Sequence, residues 1–87
     1  MSYGMRFERT YRNRLIEPGA TWTESLPQLQ FQVVIVCDAV SPDRWHAEVR
    51  FGRHVLISTP QVDSYDQASR QARDDFEAKV VELFRGA

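Results

Sequence analysis

From Trp45 to Phe51 the chain alternates apolar and polar residues without a break, as Trp-His-Ala-Glu-Val-Arg-Phe. Gly52 interrupts the run, and a second apolar stretch, Val55-Leu56-Ile57, follows Arg53-His54. A period of two on either side of a glycine is the pattern of a β-hairpin with one face on a core. Such a ribbon is marginal in water by itself, so more strands or a helix must cover its apolar face. Two registers are open. A two-residue loop, Gly52-Arg53, places Leu56 opposite Val49 and turns Val55 and Ile57 outward. A three-residue loop, Gly52-Arg53-His54, brings Val55 and Ile57 onto the core face beside Val49 and Phe51. The second buries two β-branched residues in place of one leucine, and it is the expected register.

The covering elements are legible on both sides of the hairpin. Leu29, Phe31, Val33, Ile35 and Cys37 share one parity of an apolar run, while Val34 and Val36 have the other. Val40-Ser41-Pro42-Asp43 reads as a type I turn into the hairpin, so strands 29–38, 45–51 and 55–59 form an antiparallel meander. Ser64-Tyr65-Asp66-Gln67 has the spacing of a capping box. Beyond it Tyr65, Ala72, Phe76, Val80, Leu83 and Phe84 fall within one arc of roughly 120° on a helical wheel. Acids fill the first half, Lys79 and Arg85 lie near the end as the helix dipole favours, and Gly86 supplies a stop. Phe76 and Val80 are expected to dock on Phe31, Val33, Val49 and Phe51. Before residue 28, Phe7, Tyr11 and Leu15 recur every four residues, yet Met5-Arg6-Phe7-Glu8 alternates, and the reading leans to strand. Glu17-Pro18-Gly19-Ala20 fits a type II turn, with Leu15-Ile16 and Thr21-Trp22-Thr23 flanking it as a further hairpin. The expected fold class is α+β: a two-layer single domain over 1–87, with an antiparallel sheet of three to five strands on one C-terminal helix (about 64–85). Residues 1–28 form an N-terminal arm or hairpin.

Composition narrows the functional classes. A chain of 87 residues, 43% hydrophobic and 26% charged, has the balance of one folded domain. Its longest wholly apolar run, Val33 to Cys37, is far short of the roughly 20 residues a membrane span needs, so no membrane role is expected. The N-terminus lacks the apolar core of a signal peptide. A lone cysteine, Cys37, excludes an intramolecular disulfide and suits a reducing compartment, so the expected location is cytoplasmic. The net charge of −1 supplies no global field for nucleic acid.

No catalytic constellation emerges. His46 and His54 are the only histidines, and with Cys37 they do not form a structural zinc set, so no metal is expected. A Cys37–His46 nucleophile–base pair fails on parity, because Cys37 faces the core and His46 faces away, and a buried thiol is a poor thiolate. Gly4, Gly19, Gly52 and Gly86 are too scattered to cradle a phosphate. Asp74 and Asp75 are adjacent on a helix and point apart. The expectation is a non-enzymatic protein with no catalytic residues and no cofactor.

Three likenesses bear on partners. Three strands followed by Ser64-Tyr65-Asp66-Gln67-Ala68 resemble the second half of a double-stranded RNA-binding domain, a likeness that implies phosphate binding at the helix start. Here Asp63 and Asp66 occupy that region without a lysine, and they repel phosphate. Arg50-Phe51-Gly52-Arg53-His54-Val55 resembles a strand of an RNA-recognition motif, with different aromatic spacing and without that fold's strand–helix order. Trp45-His46-Ala47-Glu48-Val49 followed by Ser64-Tyr65-Asp66-Gln67-Ala68 is similar to HicB-type antitoxins. The glycine-bearing link of that family is replaced by Ser58-Thr59-Pro60-Gln61-Val62-Asp63, and the likeness implies a protein partner.

The leading expectation is a small non-catalytic interaction domain, antitoxin-like or inhibitor-like, acting as a homodimer or against another protein. Its contact is the second sheet face, with Val34, Val36 and Trp22 near it, since Trp22 has no evident place in the helix-facing core. The alternative is a nucleic-acid binder using Arg6, Arg9, Arg12, Arg14, Arg44, Arg50 and Arg53.

Overall fold

A computed structural model describes residues 8–26 and 30–85, with side chains described as far as Glu82. Its elements are β1 (Thr10–Tyr11), β2 (Arg14–Leu15), β3 (Thr21–Ser25), β4 (Phe31–Ala39), β5 (Arg44–Phe51), β6 (His54–Ser58) and α1 (Tyr65–Arg85). Strands β3 to β6 form one antiparallel sheet in sequence order, β1 pairs with β2, and α1 packs on the sheet. The α+β class and the two-layer arrangement therefore hold. Arg6 and Phe7, Leu29, the side chains of Leu83 and Phe84, and the Gly86 stop lie outside the described residues.

The helix begins as its sequence requires. The Ser64 hydroxyl accepts the Gln67 backbone N–H at 3.1 Å, and the Gln67 side chain reaches back to the Asp63 N–H at 3.0 Å, so two donors at the helix start are satisfied. Ala68 and Ala72 are fully buried. These small side chains let the helix axis approach the sheet, while Tyr65 and Phe76 pack at the ends of the contact. Tyr65 meets Trp45, and the Phe76 ring lies 4.9 Å from that of Phe31, so the helix runs along β5 in the same direction. Val80 is half-buried and sits beyond the core cluster.

Register decides which residues meet the helix. Trp22 pairs with Ile35, Ile35 with Ala47, Val33 with Val49, and Val49 with Ile57. Directly paired residues share a face, so these side chains line the helix side together with Cys37 and Trp45. Trp22 is thus a core residue at 6% exposure, its ring 5.5 Å from Trp45. The expectation that it lacks a core partner is corrected: β3 pairs with β4 in the parity that turns Trp22 to the helix.

The β5–β6 connection combines the two registers weighed above. Phe51 pairs with His54 across a two-residue Gly52-Arg53 turn, and Gly52 has φ +59°, the geometry a glycine-first hairpin turn needs. A bulge then inserts Leu56, so Val55 lies opposite Arg50 while Ile57 lies opposite Val49 on the core face. The favoured three-residue loop was incorrect, and so was its placement of Val55, but Ile57 reaches the core through the bulge. Past β6, the Thr59 hydroxyl accepts the Ala47 N–H at 3.0 Å, and Val62 exchanges two backbone bonds with Trp45.

The N-terminal third departs most from expectation. Glu17-Pro18-Gly19-Ala20 is a turn, closed by the Ala20 N–H on the Glu17 carbonyl at 3.0 Å with Gly19 at φ +92°. Residues 15–16 do not pair with β3, however. Leu15 pairs with Thr10 instead, around a tight Arg12-Asn13 turn, and β3 pairs with β4. The Val40–Asp43 segment is not type I either: Ser41 has φ +54° and the Ser41–Pro42 peptide is cis.

Both sheet edges are blunted. At β3, Arg14 donates to the Thr21 carbonyl at 2.8 Å and the Trp22 indole donates to the Tyr11 carbonyl at 2.9 Å. At β6 the strand is only five residues long, carries the bulge, and is followed by Pro60. Short length, bulges and proline all disfavour pairing with another strand.

Candidate functional site

The face of the sheet away from α1 carries three cross-strand rows: Thr21, Val36 and His46; Thr23, Val34, Glu48 and Ser58; Ser25, Gln32, Arg50 and Val55. None of the described elements lies across it. Val34 is nonetheless 7% exposed, because Thr23 and Glu48 stand directly beside it at the spacing of paired strands. Val36 is half-buried and Val55 is 49% exposed.

A polar chain borders these valines. Asp38 Oδ2 lies 2.7 Å from His46 Nδ1, His46 Nε2 lies 3.5 Å from Glu48 Oε2, and Glu48 Oε1 accepts from Arg50 Nε at 2.8 Å. The charges on this face are therefore paired among themselves. An apolar centre with a hydrogen-bonded charged border is the anatomy of a modest protein contact. Of the three residues expected at the interface, Val34 and Val36 share this face, whereas Trp22 is on the other side of the sheet.

A second cluster lies on the helix side, at the β3 edge, and was not singled out from sequence. Glu24 accepts from the Tyr65 hydroxyl at 2.5 Å, from Ser69 at 3.0 Å and from Arg73. Burial raises the Glu24 carboxyl, but the hydrogen bonds from Tyr65, Arg73 and Ser69 outweigh it and hold the group below its ordinary value. Burial first, and then the bond to Glu24, push the Tyr65 phenol well above its ordinary range. The ring of Tyr11 lies 4.7 Å from Tyr65 and 6.3 Å from Trp22. Over them sits Arg12, its guanidinium carbon 5.1 Å from the Tyr11 ring centre and 6.0 Å from that of Tyr65. The one available sequence signal was that Trp22 and Glu24 share a parity; the partner strand that reveals its meaning is not local.

The arginines do not gather into one patch. Arg9 makes a two-pronged contact with Asp43, at 2.8 and 3.3 Å. Arg12 lies 3.7 Å from Glu24, Arg14 caps the Thr21 carbonyl, and Arg44 reaches Asp63 at 3.1 Å. Arg50 is engaged by Glu48, and Arg53 stands exposed at the hairpin turn. From Arg44 to Arg50 the strand rises about 20 Å, which separates Arg9 and Arg44 from Arg50 and Arg53. Arg6 lies outside the described residues.

Cys37 is fully buried. Burial, helped by the negative charges of Asp43 and Asp38, raises its thiol above the ordinary value, which disfavours the nucleophilic thiolate. Cys37 and His46 take opposite faces of the sheet, as their parities required. Among the described residues no group of three His, Cys, Asp or Glu side chains is placed to hold a metal ion, and no helix is long and apolar enough to cross a membrane.

No protein-family model, no curated protein and no solved structure matches this chain.

Proposed function

We propose that this chain is a small non-catalytic interaction domain, antitoxin-like or inhibitor-like, that engages a second copy of itself or another protein through the outer face of its sheet. The observation that carries the reading is that face itself. Val34 and Val36 lie along it on β4, between Thr21 and Thr23 on one side and the His46-Glu48-Arg50 row on the other, and Val55 stands beyond Arg50 on β6, with none of the described elements over them. A cytoplasmic location accords with the lone, buried Cys37.

The test is solution mass, by light scattering, of the wild type and of a Val36→Lys, Val55→Lys variant. A wild type that runs as a dimer and a folded variant that runs as a monomer support self-association through this face. Equal monomeric mass and equal stability overturn it. Titration with duplex RNA and DNA discriminates the arginine reading, since binding through phosphates collapses between about 50 and 200 mM salt, whereas an apolar contact persists.

A further inference from the structure

The polar chain on the outer face contains one nitrogen whose proton decides the balance of charge there. Asp38 Oδ2 lies 2.7 Å from His46 Nδ1. An ionised carboxylate only accepts hydrogen bonds, so Nδ1 carries the proton of the neutral ring and Nε2 is left with a bare lone pair. That lone pair meets Glu48 Oε2 at 3.5 Å, where two acceptors face each other and no hydrogen bond forms. Glu48 turns its other oxygen to Arg50, whose Nε and Nη2 both donate to Oε1. A proton on Nε2 converts the repulsive meeting into an ion pair and leaves His46 donating to a carboxylate at each end.

Few other charges bear on His46. Val36, paired with it on β4, is uncharged, as are Thr21 and Thr23 of β3 and Ser58 of β6. The segment from Thr59 to Val62 runs beside β5 and carries no charge. Arg44, two residues earlier on β5, reaches away to Asp63 at 3.1 Å. Helix α1 lies on the other side of the sheet. With His46 neutral, the two carboxylates of Asp38 and Glu48 stand against the single guanidinium of Arg50; with His46 protonated, the charges balance.

We propose that His46 is a proton-operated switch on the outer face, which readies that face for a second copy of the chain when Nε2 is protonated and releases it when Nε2 is bare. The inference rests on the outer-face reading above and adds its regulation. In a pair stacked about a two-fold axis each copy turns its row toward the other, across sheets about 10 Å apart. An unbalanced carboxylate taken into that contact loses water and faces a like charge, whereas a balanced row carries its counter-charges with it. Histidine is the side chain whose charge ordinarily changes between about pH 5 and 8, so pairing strengthens as pH falls through that range. His54, the other histidine, pairs with Phe51 on the helix side and does not share the row.

The experiment measures self-association of the full chain by analytical ultracentrifugation at about pH 8 and about pH 5.5, for the wild type, His46→Gln and His54→Gln. The wild type and His54→Gln should pair on the order of tenfold more tightly at the lower pH, while His46→Gln pairs equally at both. Imidazole nitrogen resonances of the wild type should show Nδ1 protonated throughout and Nε2 changing between the two. Wild-type pairing of equal strength at both pH values, or a His46→Gln chain that keeps the dependence, overturns the switch and leaves the outer-face reading standing. A wild type that is monomeric at both overturns the outer-face reading and the switch with it. If His46→Gln does not fold, Glu48→Gln takes its place. Its row balances when His46 is neutral, so it should pair more tightly at the higher pH, and tighter pairing at the lower pH overturns the switch.

Discussion

The two faces of the sheet solve the problem of covering a strand in different ways. The helix side is closed by packing: Val33, Ile35, Cys37, Ala47 and Val49 have no exposed surface, and Trp22 and Trp45 each meet Tyr65 edge to face beside them. The Glu24 carboxylate on that side accepts from Tyr65, Ser69 and Arg73. Among the described residues no second layer lies over the outer side, where the two central valines are sheltered sideways by threonines and a row of paired charges. Burial there comes from the width of neighbouring side chains and not from a covering element. The difference teaches that low exposure alone does not identify a core. Val34 and Trp22 are about equally hidden, at 7% and 6%, but among the described residues only Trp22 is enclosed by a second layer.

Substitutions should separate the faces by magnitude. Trp22→Ala removes the ring that joins Tyr11, Trp45 and Tyr65, and should cost about 3–5 kcal/mol in denaturant unfolding. Val36→Ala on the outer face should cost about 1 kcal/mol or less. If it costs as much as Trp22→Ala, the outer face is a second core and the contrast fails.

Glu24→Gln should cost about 1–2 kcal/mol, since donors from Tyr65, Ser69 and Arg73 lose a charged acceptor but part of this group reaches water. Its pH dependence sharpens the assignment. The carboxyl is held below its ordinary 4.5 in the folded chain. Its contribution is therefore full above about pH 4.5 and is lost as pH falls through the lower folded value. The stability gap between wild type and Glu24→Gln should shrink on acidification, and a gap that widens would contradict the geometry.

Gly52→Ala should cost about 1 kcal/mol. A Cβ there meets nothing within 4 Å, so any loss measures the backbone at φ +59° alone. Arg50→Ala, on the outer row, should have the smallest effect, within about 0–1 kcal/mol and reduced by salt. A larger, salt-independent loss would show that the charged row holds up the sheet.

What the sequence disclosed follows the range of the interactions involved. Helix 65–85 was legible because capping, periodicity and charge gradient are all local, and its observed start falls one residue from the expected one. Strands β4 and β5 were legible from alternation. The β5–β6 bulge was not, because inserting Leu56 satisfies both the two-residue turn and Ile57's burial, a compromise that no strict period of two expresses. The N-terminal third failed for another reason. Tyr11, Trp22 and Glu24 acquire their meaning from Tyr65 and Arg73, more than 40 residues away from Glu24 along the chain, and a local pattern cannot carry that pairing. Of the proposed contact residues, the parity of Val34 and Val36 was readable in their own strand, whereas Trp22 depended on the register of β3 against β4.

The blunted edges have a consequence for how copies of this molecule can add together. An open strand edge recruits a neighbour and presents a fresh edge, so growth by that route has no natural end. Arg14 on the Thr21 carbonyl at one side, and the Leu56 bulge with Pro60 at the other, disfavour edge pairing, so what the sheet itself offers a copy is the stacking of faces. A sheet has one outer face to give, and stacking it on its own copy about a two-fold axis uses that face in both partners. Self-association through that face is then self-limiting: it stops at a pair and does not propagate into a fibre.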